Sequence, residues 1–386
     1  MARQNFLTFS PPAISEQEIQ AAVGVLKSGW LSSGPKCKEL ETMFQGIVGS
    51  PGALALNSCT AGLHLAMIAH KIGPGDEVIT TPITFCASAN VVEHVGGTTV
   101  LVDVESETLL IDPKKIEAAI TPKTKMILPV HYSGHPCDMD AINAIAKKHN
   151  LVVVEDAAHC MTSKLGDKWV GNSQNLTAFS FYATKNITTG EGGMLTGPTE
   201  LLDVCRRMAL HGLDKNAWAR YAKGGSWKYD VPQPGFKYNM PDILAAIGVE
   251  QLKRMDELYE SRKKIVKFYD EAFKNSPYVK TLKVKPGFQS SHHLYVLFLQ
   301  AEKLKISRDE FITQMQELNI GTSVHFIPLH IFSYYSKKYG WKPQDFPNAY
   351  KAFEQMVSIP LSSALTLQDA KDVVEAIETI FASAAQ

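Results

Sequence analysis

Lys185 follows the apolar run LTAFSFYAT and precedes the turn of KNITTGEGG. A run of that kind is buried, so the amine is expected at the end of a central strand, partly out of water. Desolvation disfavours the ammonium form, and a neutral amine is the nucleophile that makes Schiff bases with carbonyl compounds. In LVVVEDAAH, four apolar residues run into Glu155 and Asp156. That puts a carboxylate at the carboxyl end of a strand, where open α/β sheets bind ligands. His159 stands three residues on, able to reach a ligand's phenolic oxygen or to pack beside its ring. In ALNSCTAGLHLAMIAH, small polar residues turn from a strand-like run into a helix starting near Thr60. The first amides of such a helix, those of Thr60, Ala61 and Gly62, form an anion site. The hydroxyl of Ser180 can add a bond to the same anion, and Phe85 in PITFCAS can offer an aromatic face.

Two chemistries use such a lysine. An aldolase binds its substrate directly to the amine, whereas other enzymes store pyridoxal phosphate (PLP) on it. The second requires an acid for the pyridine nitrogen, donors for a phosphate and a platform for the ring, and Asp156, the helix start with Ser180, and Phe85 would meet these requirements. Each residue also has an ordinary structural role: a cap, a capped helix, a packed core aromatic, a satisfied histidine. A metal hydrolase is a third possibility, raised by His131, His135 and Asp138 in HYSGHPCD. Ser133, Gly134 and Pro136 indicate a turn there, and not the helix that sets two histidines on one zinc ion.

These side chains need a scaffold. Between about residues 50 and 200, short β-branched runs (EVITTP, TTVLVDV, KMILPVHY, LVVVEDA, LTAFSF, GGMLTG) alternate with helical patterns, as in a sheet built by crossovers. Asp138 is a plausible N-cap for DMDAINAIAKKHN. Long helices follow FKYNMPDILAAIG, then the strand-like HHLYVLFLQ and a helix near SRDEFITQMQELN. The expected division is a large domain over 1–250, with an N-terminal segment able to pack on the small domain, and a smaller α+β domain over 251–386. AWARYAKGGSWKYDVPQPG reads as a long loop bordering a site.

Composition narrows the function classes. The 386 residues are 45% hydrophobic, and 39 basic side chains balance 39 acidic ones. Without a Lys/Arg block, no footprint for nucleic acid or an anionic membrane is visible. No apolar stretch approaches a membrane span and the N-terminus lacks a secretory signal, so the cytoplasm is expected. The six cysteines show no C-x-x-C pair and read as buried thiols of a reducing compartment.

Taken together, NSCTAGL, TPITFCAS, VEDAAH, FSFYATKNITTGEGG and FKYNMPDILAAIG resemble the DegT/StrS family of PLP-dependent sugar aminotransferases, over essentially the whole chain. The resemblance implies the aspartate-aminotransferase architecture, fold type I. It makes Lys185 the Schiff-base lysine, Asp156 the pyridinium partner and Phe85 the ring-stacking aromatic, with Thr60, Ala61 and Ser180 as the phosphate cradle. It also implies a homodimer in which Asn239 of one chain completes the other's cradle. Glutamate, leaving as 2-oxoglutarate, and a nucleotide-linked keto-sugar are the implied partners. Trp30, His325 and His330 are candidates for the sugar-nucleotide pocket. Relatives that remove a sugar hydroxyl carry histidine at the lysine position, so Lys185 favours transamination. HYSGHPCDMDAI with GFKYNMPDI is most similar to the branch that aminates C4 of UDP-4-keto sugars, including the makers of 4-amino-4-deoxyarabinose. Phe85 stands where that branch commonly has Trp, and Tyr182 where it commonly has His. A C3 or cyclitol aminotransferase, or a non-catalytic regulator of the same fold, are the alternatives.

Overall fold

The computed structural model describes residues 3–214 and 228–385. Residues 217–227 of the long loop expected to border the site lie outside the described residues. Seven strands make the large sheet: β1 (Ala53–Leu56), β2 (Glu77–Thr80), β3 (Thr98–Leu101), β4 (Thr124–Ile127), β5 (Val152–Asp156), β8 (Leu176–Ser180) and β9 (Gly193–Thr196). The hairpin β6 (Lys164–Leu165) and β7 (Lys168–Trp169) pairs elsewhere, with β11 (Phe288–Gln289). The order in the large sheet is β1-β9-β8-β5-β4-β2-β3. β2, β3, β4, β5 and β8 pair in parallel, and β9 runs antiparallel to both β8 and β1.

The uniformly apolar strands are covered on both faces, as parallel strands require. Leu54, Leu56, Val154, Ala178 and Leu195 pack against helices Cys59–Ala69 and Thr199–Met208. Their alternates Ala53, Ala55, Phe179 and Met194 pack against helices Pro35–Val48 and Asp242–Lys253. Helix starts obey local chemistry. Asp138 Oδ1 accepts from Ala141 N at 3.1 Å and opens the helix Met139–His149.

A second sheet, β10 (Val279–Thr281), β12 (Tyr295–Leu299) and β13 (Met356–Ile359), is antiparallel in the order β10-β12-β13. Its period of two is buried on both sides. Tyr295, Leu297 and Leu299 face the helices Met255–Phe273, Arg308–Glu317 and Leu367–Ala384, together with Leu7. Leu294, Val296 and Phe298 join Ile79, Leu101 and Ile127 of the large sheet in one cluster. The two sheets therefore share a hydrophobic core. Leu7 forms a parallel bridge with Ile320, which fixes the N-terminal segment alongside the C-terminal helices and sheet.

Candidate active site

Asp156 ends β5, Ser180 ends β8, and the segments after β1 and β2 carry Ser58 and Phe85. Parallel strands bring these ends to one edge of the sheet, where a cavity of about 540 Å³ opens. Lys185, Asp156, His159, Phe85, Thr60, Ser180 and His325 all line it.

Lys185 is half-buried, and its pKa is lowered to about 8 by desolvation, against the pull of Cys59, Asp156 and Cys160. About a tenth of the amine is thus neutral at pH 7, far more than for an ordinary lysine. Asp156 is 5% exposed; its Oδ2 accepts from Ser88 Oγ at 2.7 Å and its Oδ1 from Ala158 N at 3.1 Å. Burial raises its pKa even though those bonds and Lys185 favour the ionised form. The carboxylate is therefore short of a positive neighbour, and a protonated ring nitrogen would supply one.

Phe85 is 61% exposed at the cavity, 6.1 Å from the ring of Phe326. A large aromatic side chain left this open inside a cavity is suited to cover a planar ring. His159 stacks on Phe326 at 5.8 Å and lies 4.3 Å from His293. Burial first, and then Lys185, hold its imidazole well below the usual pKa, so it is neutral.

The helix N-terminus differs from expectation in detail. It begins at Cys59, Ser58 Oγ accepts from Ala61 N at 3.1 Å, and Gly62 N donates to Ser58 O at 3.3 Å. Of the three amides expected to meet an anion, Ala61 and Gly62 are spent on capping, and Ala61 does not line the cavity. Thr60 stays exposed there, beside the half-buried Ser58 and Ser180. Gly193 lets β9 approach this turn, since a Cβ there would stand 2.5 Å from Cys59 N. Among the described residues lining the cavity, Lys185 is the only lysine or arginine.

Three expected site residues lie elsewhere in the chain. His330 is fully buried against Phe346 and Tyr350, because Pro328 and the turn Leu329–Ile331 carry it away from the cavity into the shared core. This corrects its expected place in the substrate pocket. Trp30 is 53% exposed, and with Asn239 it lines a separate cleft of about 360 Å³. Asn239 does not cap the following helix. Its Nδ2 donates to Ser33 Oγ at 2.7 Å, and its buried Oδ1 has no partner among the described residues.

Of the two histidines that suggested a metal, His131 is committed to other bonds, and the buried Nδ1 of His135 has no partner among the described residues. His131 Nδ1 accepts from Cys137 N at 2.9 Å, and its Nε2 meets Glu155 Oε2 at 3.0 Å. Asp138 is a helix cap. No group of three or more His, Cys, Asp or Glu among the described residues is arranged to hold a metal ion.

Phe9, His293 and Phe326 line the cavity without having been singled out from the sequence. Phe9 stacks on His325 at 5.2 Å, and His325 Nδ1 lies 3.0 Å from Ser358 Oγ. Burial pushes the His325 imidazole down to about 4. The one sequence signal for Phe326 was its place between the two histidines of HFIPLH.

Comparison with known proteins gives the same picture. The family model for DegT/DnrJ/EryC1/StrS aminotransferases matches residues 12–378. The spore coat polysaccharide biosynthesis protein SpsC of Bacillus subtilis is 49% identical over 380 residues, covering 98% of each chain. Spr1654 from Streptococcus pneumoniae, solved in its PMP form, superposes with a TM-score of 0.92 at 35% identity, covering 98% of this chain and 99% of that one. PseC of Helicobacter pylori, an aminotransferase involved in the biosynthesis of pseudoaminic acid, gives 0.89 at 27% identity, with 98% and 100% covered. This chain belongs to the DegT/DnrJ/EryC1/StrS family of sugar aminotransferases, and it is a PLP-dependent aminotransferase of fold type I.

Proposed function

We propose that the chain transfers the amino group of glutamate to C4 of a nucleotide-linked 4-keto sugar, UDP-linked, in the cytoplasm, making an amino sugar for a cell-surface glycan. The observation that carries this reading is the pairing of Lys185, lowered to about 8, with the buried carboxyl of Asp156 in a cavity whose wall includes the exposed ring of Phe85. The relatives' names support the glycan direction: SpsC is a spore coat polysaccharide protein and PseC serves pseudoaminic acid. Six free cysteines fit a reducing compartment.

When bound, PLP supplies an electron sink for the carbanion left when the donor loses its Cα proton. Asp156 would hold the ring nitrogen protonated, Phe85 would cover the ring, and Thr60 with Ser180 would meet the phosphate. Lys185 Nζ anchors the cofactor, then takes the proton from the donor's Cα and returns one, as general base and general acid in turn. Apolar walls from Phe9, Leu63, Leu294 and Phe326 exclude water from that exchange. Since Lys185 is the sole lysine or arginine in the described lining, the phosphate's charge calls for help from outside it. We assign that help to a second subunit, with Asn239 reaching the partner's cradle from the cleft it shares with Trp30.

The test is spectral. Protein loaded with PLP is treated with glutamate, freed of 2-oxoglutarate and offered a panel of nucleotide-linked 4-keto and 3-keto sugars. Return of the PLP absorption with a UDP-4-keto sugar supports the proposal. Return only with a 3-keto sugar, or no change with glutamate, overturns the substrate or the donor respectively.

A further inference from the structure

Asn186 immediately follows Lys185 and is buried. Its amide bridges the lysine turn to the segment before β12. Nδ2 donates to Ser291 O at 2.6 Å, and Oδ1 lies 3.0 Å from His293 Nδ1. A carbonyl can only accept, so Ser291 O fixes which end of the amide is nitrogen. The Oδ1 facing His293 must then accept, and the proton of the neutral imidazole sits on Nδ1. Arg262 holds the same segment, with Nη1 donating to His292 O at 3.4 Å, His293 O at 3.3 Å and Leu361 O at 3.1 Å.

His159 is fixed in the opposite sense. Ser133 N can only donate, and it meets His159 Nδ1 at 3.2 Å, so this ring carries its proton on Nε2. The two rings are 4.3 Å apart, both are buried, and both line the cavity. Lys185, Arg262 and His325 are the other charged or titratable groups that act on His293, and together with burial they keep it neutral.

We propose that Asn186 is a positioning residue that fixes His293 as its Nδ1–H tautomer. The cavity wall then presents an unprotonated His293 Nε2 beside the Nε2–H of His159, an acceptor and a donor matched to one hydroxyl group of a ligand. A hydroxyl both gives and takes a hydrogen bond, so it satisfies both rings at once. That hydroxyl belongs either to the cofactor's phenol or to the sugar, and this part rests on the function proposed above. The tautomer itself does not.

The tautomer is read from nitrogen-15 shifts of histidine in the cofactor-free protein, with His293→Gln giving the assignment. Expected is a protonated Nδ1 and a bare Nε2 from mildly acidic to neutral pH; a proton on Nε2 overturns the proposal whatever the enzyme's substrate. Asn186→Asp supplies the functional arm in the holoenzyme. The carboxylate still accepts from Nδ1–H but its charge holds a second proton on Nε2, turning the acceptor into a donor. His293 then titrates at a raised pKa, with activity falling by about tenfold as pH drops through it and recovering above it. The recovery shows that the fold is intact, and the double variant Asn186→Asp, His293→Gln should lose the ionisation. A new ionisation in the glutamate half-reaction identifies the cofactor's hydroxyl; one confined to the sugar half-reaction identifies the sugar's. A wild-type pH profile in Asn186→Asp, or a loss equal at all pH values, overturns the positioning role.

Discussion

Glu155 and Asp156 are neighbours in the chain and point to opposite faces of the sheet, with opposite electrostatic outcomes. Burial works to raise both. At Glu155 it is outweighed by bonds from His131, Asn175 and Ser173, so the carboxyl is held low and its charge is locked into structure. At Asp156 burial prevails, and the group faces the cavity. The strand's alternation thus separates a structural acid from a chemical one.

Asp156→Asn should keep bound cofactor and lose about a hundredfold or more in the glutamate half-reaction, because a neutral amide cannot hold a ring nitrogen protonated. Stopped-flow absorbance of the loaded protein measures it; an unchanged rate would reduce Asp156 to a cap for Ala158.

Lys185→Ala should abolish the absorption of lysine-anchored PLP and lower turnover by about a thousandfold or more. The amine makes no hydrogen bond or ion pair among the described residues, so circular dichroism and the thermal midpoint should stay near wild type. Wild-type transamination in this variant would remove the central assignment.

Capture of PLP by the cofactor-free protein should depend on pH through Lys185. The neutral amine is the reactive form, and burial brings its pKa down to about 8. The capture rate should therefore rise about tenfold per pH unit below that value and level off above it. A rise continuing to the ordinary lysine range would show a solvated amine.

Gly193→Ala forces a Cβ to within 2.5 Å of Cys59 N and of the carbonyl carbon of Ser58. Both are backbone and cannot rotate away. We expect about 1–3 kcal/mol of lost stability and weaker phosphate and PLP binding, read by thermal melts and fluorescence titration.

A shared site makes two inactive proteins complementary. Lys185→Ala mixed with Asn239→Asp under subunit exchange should recover up to about a quarter of wild-type activity, since one site in each hybrid dimer is intact. An active monomer, or exchanged hybrids that gain nothing, would return Asn239 to its bond with Ser33.

What the sequence shows plainly is what neighbours in the chain decide. The apolar runs before Asp156 and Lys185 announce buried strand ends, and parallel pairing then brings those ends together. Residues whose surroundings come from far along the chain are less legible. His330 and His325 sit five apart in one motif, yet one faces the core and the other the cavity, because Pro328 redirects the backbone between them. His293 gave no signal, since its partner Asn186 is remote in sequence and both orient through main-chain groups that carry no side-chain pattern. The helix start at Ser58 was visible as an anion site, but its own hydroxyl competes for the amides.

The N-terminal segment has a consequence for how the molecule is made. Leu7 N donates to Asn319 O at 2.8 Å, Ser10 Oγ reaches both Thr184 O and Leu361 O at 3.2 Å, and Phe9 between them forms part of the cavity wall. These residues precede their partners at 319–361 in the chain, so they cannot find their places until those partners have emerged from the ribosome. The lysine turn and the wall that Phe9 forms are therefore joined only after residues 319–361 are made, and a chain still short of them cannot trap cofactor in a finished pocket.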